Sequence, residues 1–195
     1  MQKLVIATGN AHKLDEISRL LQPLGIEVVS QAVFNVPEAE EPHITFVENA
    51  LAKARHAARL TGLPALADDS GLCVAALGGA PGVISAIYAG EPRSDARNNE
   101  KLLAAMQGIT DRRAHYHSTL VLVRHADDPQ PIIAEGQWHG VILEVRRGEG
   151  GFGYDPLFLD PVLGQSVAEI STEDKNRVSH RGQALRLLLE KLKGE

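Results

Sequence analysis

The chain has 195 residues, 44% hydrophobic and 23% charged, with a formal net charge of −5. That suits one globular domain, or one domain with two lobes, and is too apolar for disorder. The acidic balance argues against a chain that coats DNA or RNA, which needs a basic surface; it leaves room for a small phosphate ligand met by a few local cations and a metal ion. No stretch approaches the ~20 apolar residues that span a bilayer, and the apolar run at 4–7 is too short for a signal-peptide core. The single cysteine, Cys73, cannot form an internal disulfide. A cytoplasmic location is the expectation.

Residues 3–8 (KLVIAT) predict a buried strand. Gly9 and Asn10 turn it into a helix whose apolar face carries Leu14, Ile17, Leu20 and Leu21, stopped by Pro23 and Gly25. Residues 26–30 predict a second strand, so the opening is that of an α/β unit. Residues 32–44 have no clear period but hold Glu38, Glu40 and Glu41. Thr45 and Glu48 form a T-x-x-E capping pattern for a helix running to about Thr61, with Gly62 as its stop. The stretch 64–77 predicts a short strand ending at Asp68-Asp69, a tight turn at Ser70-Gly71 and another strand. Residues 78–82 (GGAPG) predict a loop. Ser94 and Asp95 cap a helix through Met106. Residues 114–125 and 132–138 predict a hairpin around Asp127, Asp128 and Pro129, with a third strand at 141–145. A glycine-rich stretch, 148–153, leads into Tyr154-Asp155-Pro156. The final helix runs from about His180 to Leu192 with Leu185, Leu188 and Leu189 on its apolar side. Alternating strands and helices followed by clustered strands predict an α/β fold with a mixed sheet, without repeats.

Asp68-Asp69-Ser70-Gly71 is the sharpest local signal. Adjacent carboxylates at the end of a buried strand repel each other and are costly to desolvate unless a cation relieves them, and ligands of α/β sheets favour strand ends. The turn is expected to bring both to one cleft, one binding a metal and the other orienting or deprotonating a water. An ordinary Asp/Ser-rich turn explains the same residues without function. Among the three glutamates, a further magnesium ligand competes with a solvated acidic loop. Thr8-Gly9-Asn10 precedes a helix N-terminus that attracts anions, with Lys13 one turn in; Asn10 as a plain helix cap fits equally. Lys53 and Arg55 fit a charged helix face, and Lys175 and Arg181 flank Ser179-His180 against the dipole of the last helix, which suggests an anionic partner. Gly148–Gly153 matches G-x-G-x-x-G but does not lie between a strand and a helix, which excludes a dinucleotide site; no P-loop or H-E-x-x-H spacing occurs. His115 and His117 alternate on a strand and are expected as surface or hairpin residues in preference to zinc ligands. Cys73 is expected as a small core residue, with nothing near in sequence to activate it.

Six blocks, in order, carry a more specific signal: T-G-N-x-x-K at 8–13, E-E before T-F-x-E-N-A-x-x-K-A at 40–54, L-P-A-L-A-D-D-S-G-L-x-V at 63–74, L-G-G-A-P-G-V-x-S-A-x-Y-A-G at 77–90, G-G-F-G-Y-D-P-L-F at 150–158 and S-H-R-G-Q-A-L at 179–185. Over nearly the whole chain this resembles the inosine/xanthosine triphosphate pyrophosphatases, which clear non-canonical purine nucleotides. The resemblance implies a single NTP pyrophosphatase domain over 1–195, an elongated two-lobed α/β structure with a central mixed sheet and an active-site cleft between the lobes. It implies a magnesium-dependent homodimer that hydrolyses ITP, dITP and XTP to the monophosphate and pyrophosphate. It makes Asp69 the general base and a metal-site residue, with Glu41 and Asp68 completing the Mg2+ environment. Thr8, Gly9, Asn10, Ala11, His12, Lys13, Lys53, Ser70 and Lys175 would hold triphosphate and sugar. Phe152, Gly153, Tyr154, Asp155, His180 and Arg181 would hold the base, with Phe152 or Tyr154 stacking on it. Hypoxanthine and xanthine offer O6 as acceptor and N1–H as donor, the reverse of adenine, so Arg181 towards O6 and Asp155 as an acceptor would reject adenine; a crowded or donor-rich place at C2 would reject guanine. One departure stands out: Ile87 occupies a place where the family usually has Arg. The competing readings are a Maf-type pyrophosphatase of modified pyrimidine triphosphates and a nucleotide sensor without catalysis.

Overall fold

The computed structural model describes residues 2–193, with five α-helices and seven strands among them. The strands form one mixed sheet in the order β2-β1-β3-β4-β5-β6-β7. By their contacts the residues fall into two compact units. One takes the chain up to Asp69, Ser118–Gly136 and the residues from Gln183; the other takes Ser70–His117 and Gln137–Gly182.

The first unit opens with β1 (Lys3–Ala7), α1 (Ala11–Leu21) and β2 (Glu27–Ser30), and continues through α2 (Phe46–Thr61) into β3 (Ala65–Val74). β1 pairs in parallel with both β2 and β3, with Val5 opposite Val29 on one side and Ala65 on the other. Side chains alternate across a strand, and the two faces bury different partners. Leu4, Ile6, Leu66, Leu120 and Leu122 pack with Ile17 and Leu21 of α1 and with Ala184, Leu185 and Leu188 of α5 (His180–Lys193). Val5, Ala7, Ala65, Ala67, Val121 and Val123 pack against Ala50, Ala54, Ala57 and Ala58 of α2. Alanine on alanine is what lets α2 lie close to that face. As expected, Thr45 caps α2, accepting from Glu48 N, and Gly62 ends it at φ 69° with its N–H on Ala58 O at 2.9 Å.

The second unit holds α3 (Asp95–Ala105), α4 (Thr172–Val178), β6 (Phe158–Asp160), β7 (Gln165–Ser166) and parts of β3, β4 (Arg113–Val123) and β5 (Ile132–Ile142). Its core gathers Leu72, Val74, Leu102, Met106, Tyr116, Trp138, Tyr154, Leu157 and Phe158. The Trp138 indole N–H donates to Asp160 Oδ2 at 2.8 Å.

Two sequence expectations fail here. β3 does not turn at Ser70-Gly71 but runs straight through it, because Leu72 and Val74 alternate into the second core and keep the strand extended. Asp68 and Asp69 therefore project to opposite faces instead of one turn. Likewise no separate strand occupies 141–145. β5 continues to Ile142, and Gly140 lies within it because a Cβ there would overlap Leu159 O and the Phe158 ring on the neighbouring β6.

Candidate active site

In the first unit, the two adjacent aspartates lie on different sides of β3, each buried and each answered by a lysine from a different helix. Asp68, 2% exposed, is on the α1 side: its Oδ2 is 2.9 Å from Lys13 Nζ and its Oδ1 accepts from Ser118 Oγ at 2.8 Å. Asp69, 4% exposed, is on the α2 side: its Oδ1 is 2.9 Å from Lys53 Nζ, which also reaches Glu41 Oε2 at 3.1 Å. Glu41 is exposed, on a segment tied to α2 by Asn49, whose side chain both accepts from His43 N and donates to His43 O at 3.0 and 3.1 Å.

Burial pushes the Asp69 carboxyl above its ordinary range; Lys53 opposes that shift, and the Glu41 charge adds to it. Burial works against the Lys53 ammonium, yet the Asp69 and Glu41 charges outweigh it and hold the lysine protonated. Both directions are consistent: Lys53 gains two carboxylates, while Asp69 gains one shared cation and loses its water. The other Asp69 oxygen, Oδ2, is buried and has no hydrogen-bond partner. A buried acceptor left open costs about 1–3 kcal/mol, so this atom is where a water or a hard cation fits. Glu41, Asp68 and Asp69 do not assemble as a ready three-carboxylate cage; among the described residues no three His, Cys, Asp or Glu side chains stand close enough to hold a metal ion by themselves. Strand alternation puts Asp68 and Asp69 on different sides of β3, and Lys53 bridges Asp69 and Glu41.

The β1–α1 turn supplies the rest of this group. Asn10 is the N-cap of α1, its Oδ1 accepting from Lys13 N at 3.3 Å, and Asn10 N donates to Thr8 Oγ1 at 3.1 Å. Gly9 lies beside Glu38, whose carboxylate a Cβ at position 9 would overlap. Ala11 is exposed in the first turn of α1; the side chain of His12 lies outside the described residues.

The second unit gathers the other predicted residues. Arg181, 4% exposed, donates from Nη2 to Ser70 Oγ at 3.3 Å. Asp155, 3% exposed, is ringed by donors: Tyr116 OH to Oδ1 at 3.2 Å, and Lys175 Nζ and Phe152 N to Oδ2 at 2.7 and 3.0 Å. Its carboxylate is thus occupied inside the protein and anchors Lys175 and the Phe152 amide. The Lys175 ammonium stands 4.5 Å from the centre of the half-buried Phe152 ring. His180 stacks on Tyr116 with centroids 5.0 Å apart and planes 15° apart. Burial first, then the Asp155 charge, drives the Tyr116 hydroxyl well above its ordinary pKa, so it stays a proton donor. Tyr154 is buried in the second core with its hydroxyl donating to Ser85 O at 2.8 Å, whereas Phe152 is only half-buried. Gly153 has both peptide groups engaged by α3. Gly182 is required by the approach of α4: a Cβ there would overlap Asn176 O, while its N–H donates to Ser179 Oγ at 3.1 Å.

Sequence reasoning singled out neither Ser118 nor Tyr116, because both are ordinary strand residues until β4 sets them beside Asp68 and Asp155. His115 and His117 are half-buried on β4, with the His139 ring 5.5 Å from His115. Cys73 is half-buried, and burial raises its thiol pKa, which favours the thiol over the reactive thiolate.

A mixed α/β sheet carrying a buried carboxylate with an open oxygen, two lysines and a helix N-terminus suits an enzyme that handles a phosphate ester or anhydride. The chain belongs to the Ham1 family, whose model matches residues 4–191. It is 64% identical over 190 residues to the dITP/XTP pyrophosphatase of Aromatoleum aromaticum, covering 97% of this chain and 96% of that one. It is also 64% identical over 192 residues to the dITP/XTP pyrophosphatase of Nitrosomonas europaea, covering 98% and 95%. Its fold matches the HAM1 protein of Coxiella burnetii with a TM-score of 0.96 at 47% identity over all of both chains, and the Ham1 protein of Staphylococcus aureus with a TM-score of 0.90 at 38% identity over 99% of each. Among the described residues no helix is long and apolar enough to cross a membrane.

Proposed function

We propose that this chain hydrolyses dITP, ITP and XTP to the nucleoside monophosphate and pyrophosphate, with Asp69 as general base. The observation that carries the reading is the open, buried Oδ2 of Asp69 beside the Lys53 ammonium, on a carboxyl whose burial raises its pKa. Relatives 64% identical to this chain and named dITP/XTP pyrophosphatase support it.

The triphosphate is assigned to Thr8, Gly9, Asn10, Ala11, His12 and Lys13 at the start of α1, to Lys53, and to Ser70 and Lys175. Lys13 and Lys53 each carry three N–H donors, so each can meet a phosphate oxygen while keeping its aspartate. A water held at Asp69 Oδ2 gives up its proton to that carboxylate as its oxygen bonds the α phosphorus; the bond from the α phosphorus to the bridging oxygen breaks, and pyrophosphate leaves. Of the three carboxylates expected around a divalent ion, Mg2+ in this proposal, Asp69 and Glu41 share the α2 side of β3 and would meet it together with the phosphates, while Asp68 faces the α1 side; magnesium needs only one or two carboxylates. It would neutralise charge on the triphosphate. Positioning and electrostatics supply most of the acceleration.

Phe152 offers the stacking face for the base. Arg181, with His180 beside it, offers donors suited to O6 of hypoxanthine or xanthine, and adenine, with its amino group at C6, would leave them unanswered. Gly153, Tyr154 and Asp155 belong to the same loop, Asp155 by holding Lys175. The single domain over 1–195, the homodimer and the cytoplasmic location belong to the same reading and rest on the family resemblance. Nothing in the fold accounts for Ile87, which is exposed at the end of the 3-10 stretch Gly82–Ile87.

The test is pyrophosphate release from dITP, ITP, XTP, GTP and ATP, with magnesium and with EDTA. Fast release from the first three that EDTA abolishes is the expected result. Equal rates on ATP would remove the base selectivity, and release confined to modified pyrimidine triphosphates would favour the Maf-type reaction.

A further inference from the structure

The loop that carries Phe152 and Asp155 is fastened at Gly153 by two side chains from the first turns of α3. Asp95 Oδ2 accepts from Gly153 N at 2.7 Å, and Asn99 Nδ2 donates to Gly153 O at 2.7 Å. The same Asn99 Nδ2 donates to Asp95 O at 2.6 Å, so the two clamping residues are also locked to each other. Asn99 is 3% exposed, and its orientation is fixed by chemistry: turning the amide over would face its oxygen towards two carbonyls. Asp95 is in turn held by Arg93, whose Nε is 3.4 Å from Oδ1, and Ser94, not Asp95, caps the helix by accepting from Arg97 N. Gly153 adopts φ 60°, a left-handed conformation that a short glycine-rich loop leaves readily. Both hydrogen bonds of its peptide groups therefore go to keeping it there.

The residues flanking Gly153 are those assigned to the base. Phe152 N donates to Asp155 Oδ2, and the Phe152 ring stands against Lys175. A loop free to rotate at Gly153 would move the ring and the carboxylate together.

We infer that Asp95 and Asn99 are positioning residues for base recognition: by fixing both peptide groups of Gly153 they set the Phe152 ring and the Asp155 carboxylate in place before the nucleotide arrives. This rests on the pyrophosphatase reading above. Neither residue is among those assigned to the nucleotide, so their loss should fall on binding and selectivity and spare the chemical step.

The test compares wild type with Asp95→Ala, Asp95→Asn and Asn99→Ala, using dITP and dATP for kinetics and amide exchange at Gly153 as a readout independent of turnover. Asp95→Ala is expected to raise KM for dITP about tenfold and narrow the dITP-to-dATP preference by a similar factor, with kcat within about threefold. The Gly153 amide should exchange faster. Asp95→Asn keeps an acceptor oxygen and should stay within about threefold of wild type in KM. Asn99→Ala should repeat the KM and selectivity change from the carbonyl side, which keeps the idea testable if Asp95→Ala folds poorly. Unchanged KM and preference in both alanine variants, even with a lowered Tm, would overturn the inference and leave a merely structural contact. An Asp95→Asn variant as impaired as Asp95→Ala would overturn it too, since the charge and not the acceptor would then matter. Wild-type protein that releases no pyrophosphate from any purine triphosphate overturns the pyrophosphatase reading itself, and is told apart from the other failures because it appears without any substitution.

Discussion

Asp69 combines an engaged oxygen with an open one. Oδ1 is committed to Lys53, which fixes the side chain, while Oδ2 is buried and open. A carboxylate shaped in this way can accept a proton without losing its orientation, which is what a general base requires. Asp69→Asn keeps the size of the side chain and a partner for Lys53 but cannot take the proton. It is expected to fold and to lose about 100- to 10,000-fold in kcat. Near wild-type kcat in that variant, measured by pyrophosphate release, would remove Asp69 from the role. In the sequence the D-D pair at the end of an apolar run stood out as a candidate beside the plain reading of an Asp/Ser turn. The orientation of Asp69 was not legible there: Ser70-Gly71 carries strong local turn chemistry, and the demand of the second core for Leu72 and Val74 overrode it. Asp95 was visible only as a helix-start residue; that its carboxylate answers Gly153, 58 positions along the chain, lies beyond any local pattern.

At the scale of elements, the β4–β5 hairpin shows how a connection can be held by one carboxylate. Asp128 is buried and accepts from Arg124 N, from the Arg124 guanidinium through both oxygens, and from Gln130 N, each at 2.9 Å. The Arg124 side chain above all, with the two backbone donors, holds its pKa far below the usual carboxylate range. A depressed carboxyl contributes stability that is fully present above the unfolded value, about 3.9, and is lost as pH falls towards the folded one. Asp128→Ala should therefore lower Tm at pH 7, and its gap from wild type should narrow as pH falls below about 4. A gap that stayed constant across that range, measured by thermal unfolding, would mean that the ionised carboxylate is not what holds the turn. The hairpin itself was readable from its alternation and its Asp-Asp-Pro turn. The short β6, β7 and α4 were not: segments of three, two and seven residues carry too few periods to stand out, and exist because neighbours receive them.

The molecule as a whole rests on separate cores in its two units, and the opening strand–turn–helix pattern correctly announced an α/β fold because β1, β2 and β3 bury alternating faces under α1 and α2. Phe158 is fully buried at the centre of the second core, against Tyr116 at 4.6 Å and Trp138 at 5.7 Å between ring centres. Phe158→Ala should cost about 3–5 kcal/mol, which lowers Tm by on the order of 10 °C for a chain of this length. A loss below about 1 kcal/mol in denaturant unfolding would mean that the aromatic cluster collapses around the gap, against the packing described.

Ala184, Leu185 and Leu188 of α5 complete the core that begins with Leu4 and Ile6. On the ribosome, that first core therefore stays open until nearly the last residue described here has been made. A chain without α5 would keep β1, β3 and β4 but leave that apolar face uncovered, sticky and readily degraded. α5 thus covers the first core and also begins with His180 and Arg181, so its loss takes two of the proposed base-binding residues along with the cover.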